Sequence, residues 1–296
     1  MAQRKVLLEE LEALNSLKDL AESYEEIAAI RMQKIKDSVL RTRNFLTDLS
    51  DVFVDLKASY KREVVDLLER RKKGDASLSP VLQKNNKTLM VYLSSNGKLY
   101  GSVTQKTYHL FMTDLAKTDA KDADMLIIGQ AGKEMYEASG AARPFRFFDM
   151  PDSSVDLEHI RKLVKMFLEY EKVFVYYGKF DNVVLQNPIS TSITGEEVFE
   201  TEVKVMIPRE DRFIFEPSLE NIFHFFETQI MANLFSQSLL ENQLARHASR
   251  VNAMEEALMH IQVEEKKLVK QRVRMKRSLQ GRRQLETISG ITMWDI

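Results

Sequence analysis

Glu241-Asn-Gln-Leu-Ala-Arg-His-Ala-Ser-Arg-Val-Asn-Ala-Met-Glu-Glu-Ala-Leu258 sits inside a run between Pro217 and Gly281 that holds neither glycine nor proline. Without helix breakers, a stretch of this length reads as one helix, and Pro217 stands where a helix commonly begins. Apolar residues follow at helical spacing through Ile222, Phe226, Ile230, Leu234, Leu240, Leu244, Ala248, Val251, Met254, Leu258, Ile261 and Leu268. Working outward, the other end of the chain has the same character. From about Lys5 to Arg71 a stripe recurs at Leu8, Leu11, Leu14, Leu17, Leu20, Tyr24, Ile27, Val39, Leu49 and Leu56. At a rise of 1.5 Å per residue each helix would reach on the order of 100 Å. Two such helices, first and last in one chain, bury their stripes most simply against each other as an antiparallel coiled coil.

The first glycine is Gly74 and the first proline Pro80, so most breakers fall in the middle of the chain. There the periodicity changes. Thr88-Leu-Met-Val-Tyr-Leu-Ser94, Asp124-Met-Leu-Ile-Ile-Gly129, Phe145 to Phe148 and Lys172-Val-Phe-Val-Tyr-Tyr177 read as strands, with helices over Val103 to Ala116 and Val155 to Tyr170. Two alternating segments, Val183 to Ile193 and Val198 to Ile207, read as antiparallel strands leading back to the last helix. The fold class expected is α/β with a long coiled coil: residues 1–74 as one coiled-coil helix, 86–207 as a central Rossmann-like α/β domain, and 217–296 as the other helix with an apolar tip.

Composition removes several functions. With no cysteine, disulfides, thiolate metal sites and a cysteine nucleophile are excluded. No run approaches the roughly 20 apolar residues of a spanning helix. The start of the chain, with Glu9, Glu10 and Glu12, does not resemble a signal peptide, so membrane association is expected only through partners. A net charge of -1 offers no general attraction to nucleic acid. Gly97/Gly101 and Gly129/Gly132 follow strands but complete neither a dinucleotide fingerprint nor a P-loop, and they read as turn glycines. His109, His159, His224, His247 and His260 lack metal-ligand spacing. No arrangement of nucleophile, base and orienting group is visible, so neither catalysis nor a cofactor is expected.

Charge is uneven along the chain. Lys266, Lys267, Lys270, Arg272, Arg274, Lys276, Arg277, Arg282 and Arg283 follow one another without an acid between Lys266 and Arg283. Such a block forms a positive sleeve that acidic loops of a surrounding ring could hold loosely, or else a solvated helix face. Ile288, Ile291, Met293, Trp294 and Ile296 crowd the last residues, an apolar tip suited to insertion into an apolar site or to folding back on the helix. Ala28, Ala29, Ala248 and Ala253 would allow two backbones to approach closely, or reflect plain helix propensity.

Several motifs resemble the gamma subunit family of F-type ATP synthases. Glu26-Ile-Ala-Ala-Ile-Arg-Met-Gln-Lys34 is similar to that family's N-terminal pattern, and Ser94-Ser-Asn-Gly-Lys-Leu-Tyr-Gly101 to its glycine-bearing loop. Ile128-Gly-Gln-Ala-Gly132 and Tyr177-Gly-Lys-Phe180 resemble two of its turns. Phe215-Glu-Pro-Ser218, Gln237-Ser-Leu-Leu-Glu241, Arg246 to Ala257 and Leu285-Glu-Thr-Ile-Ser-Gly290 follow its C-terminal strings in order. Where the family carries an Arg-Gln pair and a Thr-Gln-Glu, this chain has Lys276-Arg277 and Gly281-Arg282-Arg283.

The resemblance implies a non-catalytic central-stalk rotor. It couples ion flow through the membrane sector to conformational change in a catalytic ring, as a peripheral protein on the cytoplasmic face of a bacterial inner membrane. Partners implied are α and β subunits around the coiled coil, with an epsilon subunit and the membrane c-ring at the foot, and no nucleic acid. Ring contacts are expected at Arg246, Glu241, Lys276, Arg277, Arg282, Arg283 and Trp294, and foot contacts at Gly97, Gly101 and Tyr177. The rival readings are a rotor for a variant rotary ATPase, a coiled-coil scaffold, and an independent α/β enzyme.

Overall fold

The computed structural model describes residues 2–59, 84–119, 122–152, 157–194 and 219–292. The expected strand Val198 to Ile207 and the tip residues Met293, Trp294 and Ile296 lie outside them. The chain divides into two compact units, Ile30–Ser249 and the pair Met1–Ala29 with Arg250–Ile296. Helices α1 (Ala2–Ser59) and α5 (Leu219–Thr292) contribute to both.

The larger unit is built on a five-stranded sheet. Its strands are β1 (Thr88–Leu93), β2 (Ala123–Ile128), β3 (Arg146–Phe148), β4 (Lys172–Phe180) and β5 (Gln186–Ser192), in the order β3-β2-β1-β4-β5. The first four are parallel and β5 runs antiparallel to β4. Parallel neighbours need crossover helices, here α2 (Val103–Lys117), α3 (Gln130–Ala138) and α4 (Leu157–Phe167). The alternation of strand side chains then defines two cores. Leu89, Val91 and Leu93 point to a face covered by Ile160, Leu163 and Phe167 of α4 together with Met231, Phe235 and Leu239 of α5. Met90 and Tyr92 point to the opposite face, covered by Phe111 and Leu115 of α2 and Tyr136 of α3. Both faces are therefore buried, which is why β1 and β2 are nearly continuous in apolar residues.

Three sequence expectations change. The nine-residue helix α3 starts directly after Gly129, where only a turn was expected. Its brevity leaves little periodicity to read. Tyr177-Gly-Lys-Phe180 is the end of strand β4, with Tyr177 opposite Ile189 and Phe180 opposite Gln186. The turn comes later, where the Asn182 Oδ1 accepts the N–H groups of Val184 and Leu185 at 2.9 and 2.8 Å. Consequently Val183 to Leu185 form the hairpin tip rather than the start of a strand, and Val184 is 82% exposed.

In the smaller unit the positions of α1 that are not exposed are Leu7, Leu8, Leu11, Leu14, Lys18, Ala21, Tyr24, Glu25 and Ala28. All but Leu8 and Tyr24 fall on one series that alternates in steps of four and three, the repeat of a left-handed coiled coil. On α5 the matching series is Met254, Leu258, Ile261, Glu265, Leu268 and Met275. Leu7 and Leu8 line one groove with Met275 and Leu279, while the Arg250 guanidinium lies 5.4 Å from the Tyr24 ring centre, so the helices run antiparallel. The expected stripe is corrected here: Leu11 and Leu14 are in the seam, but Leu17, Leu20 and Ile27 are exposed. A 3.5-residue repeat passes instead through Ala21 and the fully buried Ala28, whose small side chains permit close backbone approach. Ala29 is exposed.

Candidate functional site at the carboxyl edge of the sheet

The strand order reverses direction between β1 and β4, and in open α/β sheets the crevice beyond the carboxyl ends at such a point is where ligands bind. In this protein the crevice holds the protein's own helix. From Glu241 to Ser249 every residue of α5 is buried, although this stretch includes Glu241, Asn242, Gln243, Arg246, His247 and Ser249. A helix buried on all sides is ordinarily apolar. Polar groups can be buried here because they meet the unpaired backbone groups at the end of the sheet.

Asn242 spans the reversal itself. Its Nδ2 donates to the Leu93 carbonyl of β1 at 3.2 Å, and its Oδ1 accepts the Gly178 N–H of β4 at 3.2 Å. One turn later Arg246 donates from Nη1 to the Ser94 carbonyl at 3.0 Å and to the Asp152 carboxylate at 2.7 Å. Its guanidinium lies 4.9 Å from the centre of the Tyr100 ring. Asp152 in turn accepts the N–H groups of Asn96 and Gly97 at 3.0 and 2.6 Å. Gln243 Nε2 donates to the Asp152 carbonyl at 3.3 Å. Gly101 allows the helix to come this close, since a Cβ there (φ +61°) would lie 2.4 Å from Ser249 Oγ. A Cβ on Gly178 would instead meet Val103 Cγ2 of α2 at 2.6 Å, with the Ala245 Cβ of α5 at 3.4 Å.

The other place where such folds hold an anion, a helix N-terminus, is also occupied from within. At the start of α3 the Gln130 N–H donates to Asn96 Oδ1 and the Ala131 N–H to the Ser95 carbonyl, both at 2.8 Å. Among the described residues no group of histidines and carboxylates is arranged to hold a metal ion.

Burial is the largest single influence on Asp152 and works to raise its pKa. Arg246 and the N–H groups of Gly97 and Asn96 together outweigh it, so the carboxyl titrates below its ordinary value. A carboxyl whose pKa is depressed on folding stabilises the fold above its unfolded value of about 4, and that contribution disappears as pH falls through the folded value. Unfolding followed from pH 6 to pH 3 should therefore show a loss of stability that is visibly shallower in Asp152→Asn.

A second cluster ties α1 to the same stretch. Arg43 donates from Nε and Nη2 to Glu241 Oε1 at 3.0 and 2.7 Å, and Gln237 Nε2 adds a third bond at 2.9 Å. Tyr177 is buried beside Glu241, and the Thr191 hydroxyl donates to its oxygen at 3.5 Å. Burial raises its pKa and the Glu241 charge adds to this.

Of the residues singled out from sequence, the structure brings Gly97, Gly101 and Arg246 together around Asp152 and Tyr100, and Tyr177 beside Glu241. Arg246 is 5% exposed and Glu241 is 2% exposed, both bonded within the chain. Lys276 and Arg283 line a groove of about 250 Å³ with Leu7, Leu8 and Met275 in the smaller unit. Arg277 and Arg282 are exposed, and Trp294 lies outside the described residues. Sequence reading missed Asn242, Asp152, Asn96, Tyr100 and Arg43. For Asn242 a signal existed: Phe235, Leu239, Asn242 and Arg246 keep the four-three spacing of a buried face, with polar residues where apolar ones are the rule.

The described residues thus combine two long helices with a doubly wound domain whose ligand crevice is filled by the chain's own helix. The family model for ATP synthase matches residues 4–277. The ATP synthase gamma chain of Ehrlichia canis is 22% identical over 264 residues, covering 87% of this chain and 86% of the relative. That of Chloroherpeton thalassium is 23% identical, with 87% and 86% covered. Among solved structures, a chain of the Euglena gracilis mitochondrial ATP synthase (OSCP/F1/c-ring, rotational state 3) superposes with a TM-score of 0.64 at 14% identity, over 99% of this chain and 94% of that one. A chain of the Tetrahymena thermophila central stalk/c-ring gives 0.53 at 18% identity, over 80% and 99%. The chain belongs to the ATP synthase family, as a divergent gamma chain.

Proposed function

We infer that this chain is the central-stalk rotor of an F-type ATP synthase, coupling ion flow through a membrane sector to conformational change in a catalytic ring of α and β subunits. The observation that carries this reading is the polar, all-round burial of α5 at the sheet edge. The α/β domain is built to hold a helix where enzymes of this fold hold a ligand. The helix then continues without a break to Thr292. No helix among the described residues is long and apolar enough to cross a membrane, so the membrane sector is reached through other subunits.

The ring contacts are assigned to the exposed part of the helices. Lys276, Arg277, Arg282 and Arg283 offer screened positive charge that attracts acidic loops without fixing one angular position. Trp294, outside the described residues, is the remaining residue assigned to this contact. Leu17, Leu20 and Ile27, exposed at heptad-related positions on α1, extend this surface with apolar area. Arg246 and Glu241, being buried, act on the ring only through the helix they hold. The central domain, residues 86–207 with Gly97, Gly101 and Tyr177, is the foot, facing an epsilon subunit and the c-ring at the cytoplasmic face of a bacterial inner membrane. Lys276-Arg277 and Gly281-Arg282-Arg283, where the family has other residues, favour a second reading in which the complex is a variant rotary ATPase.

Affinity purification of the tagged chain from its own membranes tests the assignment. Co-purification of α and β subunits with ATPase activity is expected, and deletion of Gln284 to Ile296 should remove most of that activity. Recovery of the chain alone, or as a homodimer, would refute it.

A further inference from the structure

The larger unit contains two buried polar joints, and their placement on the helix has a mechanical meaning. Apolar packing, such as that of Phe235 and Leu239 on the sheet face, is non-directional and resists rotation of a helix about its axis only weakly. Directional bonds from side chains set off the axis resist it strongly. Asn242 and Arg246 are four residues apart and so share one face of α5. They bond to β1, to β4, and to the Ser94 carbonyl and Asp152 just beyond the sheet edge, with acceptors and donors on both sides of the strand reversal. Glu241, rotated by about a third of a turn, holds α1 through Arg43.

We propose that the crevice at the strand reversal is a torque-bearing socket, in which Asn242 and Arg246 are the positioning residues that lock α5 in azimuth against the α/β domain. This rests on the rotor reading. Gly101 belongs to the socket, because a side chain there would meet the backbone of α5 at Ser249 and hold the helix off its bonding partners. In this protein the position that serves ligand binding in other doubly wound sheets is given over to transmission of force.

The chain has no cysteine, so Val184→Cys introduces the one thiol on this chain, and it takes the bead once the other subunits are made free of reactive cysteine. The assembled complex is fixed through its α/β ring, and the bead is followed during ATP hydrolysis and then at the stall. In the otherwise unsubstituted complex the bead should rotate and, when stalled, fluctuate within a narrow angle. With Arg246→Met or Asn242→Ala, hydrolysis should persist while the angular variance at stall rises at least twofold. Arg246→Lys, which keeps the charge, should recover part of the stiffness. If Arg246→Met prevents assembly, Asn242→Ala alone decides. Unchanged variance at undiminished hydrolysis would overturn the socket and leave the rotor standing. Absence of rotation in the otherwise unsubstituted complex would overturn the rotor reading itself, and the socket with it.

Discussion

Gly101→Ala is expected to destabilise the purified chain by about 3 kcal/mol, lowering its melting temperature by roughly 5 °C. Two effects combine. Gly101 has φ +61°, in the left-handed region that costs an L-residue about 1–2 kcal/mol. Its Cβ would also lie 2.4 Å from Ser249 Oγ and 2.6 Å from the Ser249 carbonyl oxygen. The hydroxyl can rotate away, but the carbonyl is backbone of α5, so the helix itself has to move. Overpacking of this kind typically costs about 1–3 kcal/mol. Gly140→Ala separates the two effects. Gly140 has φ +69°, and a Cβ added there would have nothing within 4 Å, so it meets the backbone cost alone. Thermal melts of both variants, followed by helical circular dichroism, should differ by the contact contribution. Equal losses would show that α5 gives way freely at Ser249.

Arg246→Met should cost about 3–5 kcal/mol, as does breaking a buried pair by removing one partner. The Asp152 carboxylate would keep its bonds from Asn96 and Gly97 but lose its cationic partner, and the Ser94 carbonyl would lose a donor. Most of the penalty comes from the charge left behind. Asp152→Asn added to Arg246→Met should therefore cost less than the sum of the two single changes, by roughly 1–3 kcal/mol. Urea unfolding of the four proteins gives this coupling directly, and strict additivity would rule out the pair as a unit. The exposed pair Lys267 with Glu264, at 2.6 Å, is the contrast: removing it should change stability by less than about 0.5 kcal/mol.

The pattern of apolar residues and breakers was enough to place the long helices at the two ends and the strands of the middle, because helix and strand periods are local properties of the chain. The motifs around Glu26, Ser94 and Arg246 pointed to the gamma-chain family by resemblance alone. The seam of the coiled coil was only partly legible. Leu17, Leu20 and Ile27 satisfy a helical stripe as well as Lys18, Ala21 and Ala28 do by position, and the distance of approach between two backbones decides which set is buried. The short helix α3 was hidden behind Gly129, where a φ of 101° and the backbone of Ser95 leave no room for a side chain.

The site was least legible of all. Arg246 and Glu241 read as charges on a long helix, available to a partner. Arg246 and its neighbour Asn242 are buried because strands β1 and β4 end beside them with unpaired carbonyl and N–H groups and Asp152 arrives from a different crossover, and Glu241 is held by Arg43 of α1. Those partners lie 64 to 198 residues away in sequence. Local periodicity determined which segments of this protein are helix and strand. Only the tertiary structure decided that a helix fills the ligand crevice, since that depends on which backbone groups long-range pairing leaves without a partner.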